Sequence, residues 1–170
     1  MTTGSTTGLA TFNAAPTEEA RDMLLACADV PRWAEAVVAG RPYSNVDATL
    51  TAARTLANPW TEAEVDTALA RHPRIGERAH GTDTDAEHSR REQSGLDTHD
   101  ADVARRLADG NRAYEERFGH VFLIRAAGRS TEDILAALEQ RLTNDAQTER
   151  RIAAEQLREI ALLRLEGMLQ

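Results

Sequence analysis

The sequence predicts an all-α protein, built as a single compact bundle of six to eight helices. Thirty alanines in a chain of 170 residues, together with many Leu, Glu and Arg residues, favour helix over strand. In several stretches the apolar residues recur with the period of an amphipathic helix. Only the run VFLI at 121–124 is typical of an extended or fully buried segment, and one strand alone makes no sheet.

The start of the chain predicts no core. The first ten residues are mostly small and polar, so we expect 1–11 to be a flexible segment. From residue 12 onward no repeat, low-complexity segment or break in composition divides the sequence. We therefore expect 12–170 to form one helical domain.

Caps and helix breakers predict the helices of the first half. Thr17, followed by two glutamates, starts the first helix, and Asn45 can cap a later one that an Asn-Pro pair ends. Thr61 and Glu64 have the spacing of a capping box, which satisfies free N–H groups at a helix start. The predicted helices are 18–27, a short one between Pro31 and Gly40, 46–57 and 61–71.

The second half contains the strongest helical pattern of the chain. Over 100–118 the apolar residues form one stripe, and because Asn111 lies within it, its amide needs hydrogen-bond partners. Gly119 ends this helix, Ser130 caps the next, and 145–168 form the last. Between 76 and 98 the chain is charged and poor in hydrophobic residues, which is typical of a surface segment, a short helix or an active-site loop.

Charge and composition exclude several classes of protein. All 20 Lys+Arg residues are arginine, so no lysine is available for Schiff-base or phosphate-loop chemistry. A net charge of −8, without a basic stretch longer than two residues, argues against nucleic acid as a partner. No segment is apolar enough to span a membrane or direct export, and Cys27 lies in an alanine/leucine run as a small core residue. We therefore expect a cytoplasmic protein.

The motif HPRIG at 72–76 follows a predicted helix end. Pro73 keeps His72 out of helical geometry, and Gly76 allows an unusual turn. The negative end of a helix dipole favours the protonated imidazole, so His72 is a candidate acid at neutral pH. A surface histidine that caps its own helix is the alternative.

The motif SRREQ at 89–93 places Ser89 and Glu92 three residues apart, with Gln93 beside them. On a helix these side chains share a face and could bind a polar ligand. The same spacing is that of a capping box at a helix start, and the local sequence pattern favours the capping interpretation.

Arg164 lies on the apolar stripe of the last predicted helix, on the same face as Gln156 and Ile160. An unpaired charge there would carry a large desolvation penalty, so the guanidinium needs an anionic partner. An internal partner such as Glu92, or a side chain that reaches solvent, is one interpretation. A bound carboxylate is the other.

A metal site is the remaining candidate for chemistry. Three histidines recur every eight residues with three acids among them, namely His72, His80, His88, Asp83, Asp85 and Glu87. That interval does not match the spacing of helical metal ligands, and neither an HExxH motif nor a Cys/His pairing occurs. No metal is therefore expected, although a metal-dependent hydrolase built on these histidines stays open as a minor interpretation.

Four motifs occur together in the order and approximate spacing of one family. They are HPRIG at 72–76, SRREQ at 89–93, NxxYxxxFGxxF at 111–122 and EIxxxRL at 159–165. The set resembles the 2-oxo-4-hydroxy-4-carboxy-5-ureidoimidazoline (OHCU) decarboxylases of urate breakdown, over about residues 12–165. Departures such as HPRIG in place of HPDLAG resemble a bacterial branch of that family.

This resemblance implies an all-helical carboxy-lyase, often a homodimer, that needs no cofactor and converts OHCU to (S)-allantoin and CO2. It implies that His72 and Glu92 are catalytic. It also implies substrate-binding residues, which are Pro73, Ser89, Arg90, Arg91, Gln93, Arg164 and the segment Phe122, Leu123, Ile124, Arg125 and Ala126, whose contacts are made by the backbone.

The chemistry of the residues agrees with this interpretation. Decarboxylation leaves an electron pair that must be delocalised and then protonated, and a ring carbonyl with imine-like nitrogens can hold that charge without pyridoxal phosphate. We expect Arg164 to anchor an oxygen, and Glu92, Gln93 and Ser89 to hold the ureido group. His72 would take the hydroxyl proton or protonate the carbanion. The alternative from another class is a non-catalytic helical protein that binds a small ureide or anion.

Overall fold

The protein is described by a computed structural model that covers residues 7–77, 84–97 and 99–170. These residues form nine helices and no strand, so the predicted all-α class is confirmed and the helix count is one above the predicted range. None of the described helices is both long and apolar enough to cross a bilayer. In chain order the helices are α1 (Gly8–Ala14), α2 (Thr17–Cys27), α3 (Pro31–Ala39), α4 (Val46–Leu56), α5 (Glu62–Leu69), α6 (Thr84–Glu92), α7 (Ala101–Phe118), α8 (Thr131–Arg141) and α9 (Ala146–Leu169).

Helix α1 occupies part of the segment that the sequence predicts to be flexible. Residues 1–6 of that segment lie outside the described residues, but the chain is helical from Gly8 onward. Arg41 holds the end of α1, because its Nη1 donates to the carbonyls of Phe12 and Ala15 at 2.7 and 2.8 Å. Phe12 is fully buried. A partner far along the chain therefore stabilises a helix that local sequence does not predict.

The described residues fall into two compact units, although the sequence shows no break in composition. The first unit runs to Glu64 and resumes at Arg158, and the second is Val65–Leu157. Helix α9 contributes residues to both units. Each unit has buried apolar residues of its own.

The core of the first unit is centred on Trp33. Its indole is fully buried, donates from Nε1 to the Ala53 carbonyl at 2.9 Å, and meets Trp60 edge to face at 5.6 Å. Helix α3, which carries Trp33, packs against both α2 and α4. Cys27 of α2 is fully buried, which confirms its interpretation as a small core residue.

The core of the second unit lies between α7, α8 and the residues that join them. Helix α7 packs closely on α8 at Gly110, where an added Cβ would lie 2.4 Å from Cδ2 of Leu138. The buried residues of this core are Ile75, Leu107, Tyr114, Phe122, Ile124, Ala126, Ile134, Leu135 and Leu138.

Three helix ends are formed as the sequence predicts. Thr61 and Glu64 make the reciprocal bonds of a capping box, with Oγ1 of Thr61 accepting at 3.1 Å and the Glu64 carboxylate accepting at 2.9 Å. Ser130 and Asp133 make a second box before α8. Gly119 ends α7 with φ of 77°, a left-handed conformation that favours glycine.

A buried carboxylate connects three helices of the second unit. Oε1 of Glu149, on α9, accepts from the hydroxyl of Tyr114 on α7 and from Nε of Arg141 on α8, the latter at 2.6 Å. Oε2 accepts from Nδ2 of Asn144 at 3.2 Å. Glu149 and Tyr114 are fully buried and Arg141 is 6% exposed. Both oxygens of the carboxylate thus have partners, as a buried charge requires.

Replacing Glu149 with alanine should strongly destabilise the protein. The change leaves the Arg141 charge buried without its carboxylate, which costs about 3–5 kcal/mol in comparable cases. Urea unfolding followed by circular dichroism measures the loss. Glu155→Ala is the matched control, since Glu155 is exposed on the same helix and its removal should change stability by less than about 0.5 kcal/mol. Equal midpoints for the two variants would contradict this account.

Candidate active site

The HPRIG motif forms a tight turn after α5. The helix ends at Leu69, and the N–H of His72 still donates to the Leu69 carbonyl at 3.1 Å. His72 and Pro73 are half-buried. Gly76 has φ of 87°, so the unusual turn predicted at this glycine is confirmed.

Two amide side chains hold this turn in place. Nδ2 of Asn111, on α7, donates to the Ile75 carbonyl at 2.9 Å, which provides the partner that the sequence requires for this buried amide. Oε1 of Gln93 accepts from the N–H of Gly76 at 3.0 Å. The second contact brings the HPRIG and SRREQ motifs together, although they lie seventeen residues apart between Gly76 and Gln93.

The SRREQ motif lies at the end of a helix, so the capping-box interpretation of Ser89 is wrong. Helix α6 begins at Thr84 and ends at Glu92. Ser89 is inside it and only 3% exposed, and Glu92 is half-buried in its last turn. The spacing of three is shared by a helix cap and by two residues on one helix face, and the structure has the second arrangement.

Two arginines of the same motif have a different environment. Arg90 and Arg91 are both exposed in the last turn of α6. Their cations lie at the carboxyl end of the helix, where the helix dipole is favourable to positive charge.

The VFLI run continues into a non-helical, buried segment at 121–126. Side-chain burial is deep, since Phe122, Leu123 and Ile124 are 2%, 5% and 6% exposed. The ring of Phe122 packs edge to face on Tyr114 at 5.3 Å, and the Arg141 guanidinium lies 4.5 Å from its centroid. The side chains are therefore committed to the core, and the main chain is what this segment can offer to a ligand.

Side chains from α8 and α9 hold the main chain of this segment. Nη1 of Arg141 donates to the Leu123 carbonyl at 2.7 Å. The Arg125 N–H donates to Oε1 of Gln156 at 2.9 Å. By contrast, the N–H and C=O groups of Phe122 and Ile124 bond to no protein group in the described part of the chain.

Arg164 lies in the first unit, whereas the motifs described above belong to the second. It is 4% exposed, and Nη1 donates to the Ala26 carbonyl at 3.3 Å. The sequence-based prediction of an arginine buried on the apolar stripe of the last helix is confirmed.

Comparison with known proteins decides the family. A family model described as OHCU decarboxylase matches residues 13–166. The chain belongs to the OHCU decarboxylase family. Its relatives include the 2-oxo-4-hydroxy-4-carboxy-5-ureidoimidazoline decarboxylases of Haloferax volcanii and Amia calva. The first is 32% identical over 136 residues, 79% of each chain, and the second 32% identical over 142 residues, 82% of this chain and 81% of that protein.

A solved structure has the same fold. The crystal structure of OHCU decarboxylase in the presence of (S)-allantoin matches with a TM-score of 0.69 and 24% identity, over 88% of this chain and 97% of that one. Family membership confirms the prediction of a carboxy-lyase of urate degradation, which was made from the four motifs.

A cavity of about 300 Å³ lies between the HPRIG turn and α7. None of the candidate catalytic or substrate-binding residues of the OHCU decarboxylase motifs lines it. Its lining residues are Arg74, Ile75, Gly76, Glu77, Ala104, Leu107, Ala108, Asn111, Arg112 and Glu115.

Part of the histidine and acid set lies outside the described structure, namely His80, Asp83 and the side chain of Asp85. Among the His, Cys, Asp and Glu side chains that the structure describes, no three are grouped so as to hold a metal ion.

The sequence did not predict the residues that hold the 121–126 segment. In the sequence Gln156 is only one member of the last helix's apolar face, where an amide among hydrophobic residues is a weak signal of a buried hydrogen bond. Arg141 and Glu149 had no such signal, because charged residues are ordinary at the end and start of helices.

Gly76→Ala should destabilise the protein through its backbone. A Cβ at φ of 87° costs roughly 1–2 kcal/mol, and the nearest side-chain atom, Cδ1 of Leu107, would be 3.4 Å away, which is ordinary contact. Gly167→Ala, within α9 and with nothing near the added Cβ, should instead be neutral or stabilising. Thermal unfolding of both variants checks this, and a Gly76 variant as stable as the wild type would mean that the turn relaxes.

Proposed function

We propose that this protein decarboxylates OHCU to (S)-allantoin and CO2 in urate breakdown, without a cofactor, as a cytoplasmic enzyme. The observation that carries the proposal is the 3.0 Å bond from the Gly76 N–H to Gln93, which joins the turn bearing His72 to the helix bearing Ser89 and Glu92. Membership of the OHCU decarboxylase family supplies the reaction class.

The reaction needs a proton-transfer group and an electron sink. The bond between the ring carbon and the carboxylate breaks, CO2 leaves, and the electron pair is delocalised over the ring carbonyl and imine-like nitrogens. A proton then adds to the neighbouring ring carbon, which carries the ureido group, and the carbon that lost the carboxylate becomes the carbonyl of allantoin as its hydroxyl gives up a proton. His72 takes the hydroxyl proton or delivers the new one, since a half-buried imidazole can serve as either base or acid near neutral pH.

Polar side chains in α6 and in the residue that follows it bind the ureido group. The Glu92 carboxylate accepts hydrogen bonds from the ureido N–H groups, and the side chains of Ser89 and Gln93 bind the rest of that group. Gln93 can do this while it supports the turn, because its oxygen receives the Gly76 N–H and its amide nitrogen can donate elsewhere. Arg90 and Arg91 contribute positive charge near the anionic substrate, as exposed residues rather than direct clamps.

Arg164 is the proposed anchor for an anionic or carbonyl oxygen of the substrate. A guanidinium presents several donors in a fixed plane, which suits a carboxylate better than a flexible ammonium would. Its burial strengthens this interaction because few water molecules compete for the charge.

The His72→Ala and Glu92→Ala variants should lose stereospecific turnover while remaining folded. Loss of an acid/base group lowers kcat by about 100-fold or more. Circular dichroism at a wavelength sensitive to (S)-allantoin follows the product when urate is supplied with urate oxidase and the preceding hydrolase. His99→Ala and Glu87→Ala are matched controls, since both residues are exposed and Glu87 lies on the same helix as Glu92.

OHCU also decays without an enzyme, so the (S) signal, and not substrate loss alone, decides the assignment. Retention of (S)-selective turnover by either variant would remove that residue from the mechanism. Slow racemic product from folded wild-type protein would reject the decarboxylase activity itself.

Arg164→Ala should chiefly weaken substrate binding. Loss of a charge-assisted hydrogen bond predicts that KM rises by about tenfold or more while kcat changes less. Arg164→Lys keeps the charge but not the planar donor set, so its KM should lie between those of the wild type and Arg164→Ala. Arg151→Ala, exposed on the same helix, is the control and should leave KM unchanged. Steady-state kinetics measure KM and kcat separately, and an unchanged KM in folded Arg164→Ala would exclude Arg164 as the anchor of the substrate.

A further inference from the structure

We propose that Gln156 is a positioning residue for decarboxylation, which holds the main chain at 122–126 so that its remaining polar groups face the substrate. The inference rests on the proposed function, because it concerns the same backbone segment. Gln156 itself would act through Arg125 and would not need to touch the reacting atoms.

The contact is well placed for this role. Oε1 of Gln156 receives the Arg125 N–H at 2.9 Å, and Gln156 is half-buried. It lies in the interior of α9, a helix of 24 residues, where the backbone is held by helical hydrogen bonds on both sides. The acceptor therefore belongs to a rigid element, while the donor belongs to a segment without secondary structure.

A second contact fixes the same segment two residues earlier. Nη1 of Arg141 donates to the Leu123 carbonyl at 2.7 Å, and Arg141 is itself held by the buried carboxylate of Glu149. A non-helical buried segment has no ladder of its own to satisfy its peptide groups. The side chains of Arg141, from α8, and Gln156, from α9, provide hydrogen-bond partners of the kind that a neighbouring strand provides in a sheet.

The peptide groups of Phe122 and Ile124, which accept no hydrogen bond from Arg141 and donate none to Gln156, are the evidence for a ligand at this segment. Phe122 and Ile124 are 2% and 6% exposed, yet their N–H and C=O groups have no protein partner among the described residues. Buried peptide groups are nearly always paired. OHCU carries both N–H donors and carbonyl acceptors in its ureido group and ring, so it can pair with both kinds of group.

The positions of these groups depend on Gln156. Without the acceptor for the Arg125 N–H, the main chain would lose its hydrogen bond to α9 between the contacts at Leu123 and Ala126. A displacement of about 1 Å of a group that orients the substrate is enough to cost a large factor in rate. A looser segment would also expose both faces of the planar intermediate to protonation.

The test compares three variants of the full chain. Gln156→Leu removes the acceptor at similar side-chain volume, and Gln156→Glu keeps an acceptor oxygen at the same reach. Gln147→Leu makes the same chemical change at an exposed position of α9 and is the control. Each variant is measured for kcat, KM, the (S) fraction of the allantoin formed, urea unfolding, and amide hydrogen exchange at Arg125 by NMR.

Gln156→Leu should raise KM by about tenfold, the effect of one lost hydrogen bond, and should lower the (S) fraction. Exchange at the Arg125 amide should become faster, while the unfolding midpoint stays near that of Gln147→Leu. Gln156→Glu should restore slow exchange and the (S) fraction. A purely structural role predicts a different result, in which activity falls only in proportion to the unfolded fraction and KM and the (S) fraction do not change.

Failure of this inference can be told from failure of the proposed function. If wild-type protein forms no (S)-allantoin, the proposed function fails, and the inference about substrate positioning fails with it. If wild-type protein is active and folded Gln156→Leu keeps its KM and (S) fraction, only the inference is overturned. Unchanged exchange at Arg125 in Gln156→Leu would also overturn it, because the hydrogen bond would then not hold the segment.

Discussion

The second unit depends on one buried carboxylate, that of Glu149. It receives hydrogen bonds from Tyr114, Arg141 and Asn144, and so ties α7, α8 and the start of α9 to a common point. Burial, together with the bond to Glu149, raises the pKa of the Tyr114 phenol, so that this group stays a neutral donor. A charge in the core is tolerated here because each of its oxygens is paired and its counter-ion is adjacent.

Through Arg141, the Glu149 carboxylate also stabilises the segment between α7 and α8. Because Arg141 is fixed by Glu149, its remaining donors have a fixed direction, and one of them reaches the Leu123 carbonyl. Its guanidinium covers the ring of Phe122 at 4.5 Å, which excludes water from the same region. The irregular backbone of this segment is thus set by the core beneath it, in contrast to an exposed loop, whose conformation is set mostly by its own residues.

Local rules predicted those parts of the protein whose causes are local. The capping pairs Thr61 with Glu64 and Ser130 with Asp133 form as expected because the interacting groups lie within a few residues of each other. The helix end at Gly119 and the turn at Gly76 also form as expected, because the positive φ of each is a property of the glycine itself. Composition and helical periodicity were sufficient for the all-α class.

The misses have causes that a single sequence does not contain. Helix α1 is stabilised by hydrogen bonds from Arg41, which lies 26 to 29 residues further along the chain. Because this partner is distant, the residues of α1 alone predict a flexible segment. Ser89 was interpreted as a cap because a spacing of three has two structural meanings, and only tertiary burial distinguishes them. For the site, the motifs identified the family and the candidate residues, but the support from Arg141 and Gln156 depends on contacts between helices, which leave no pattern in the spacing of residues.

The segment at 122–126 buries its apolar side chains in the core, while the peptide groups of Phe122 and Ile124 have no protein partner among the described residues. Every amino acid except proline carries the same peptide donor and acceptor. Substitution at these positions is therefore limited by the side-chain volume that the core accepts, and it leaves the peptide donors and acceptors unchanged. A main-chain arrangement of this kind depends on the fold more than on the identity of each residue, and this chain shares its fold, at a TM-score of 0.69, with a protein that is only 24% identical.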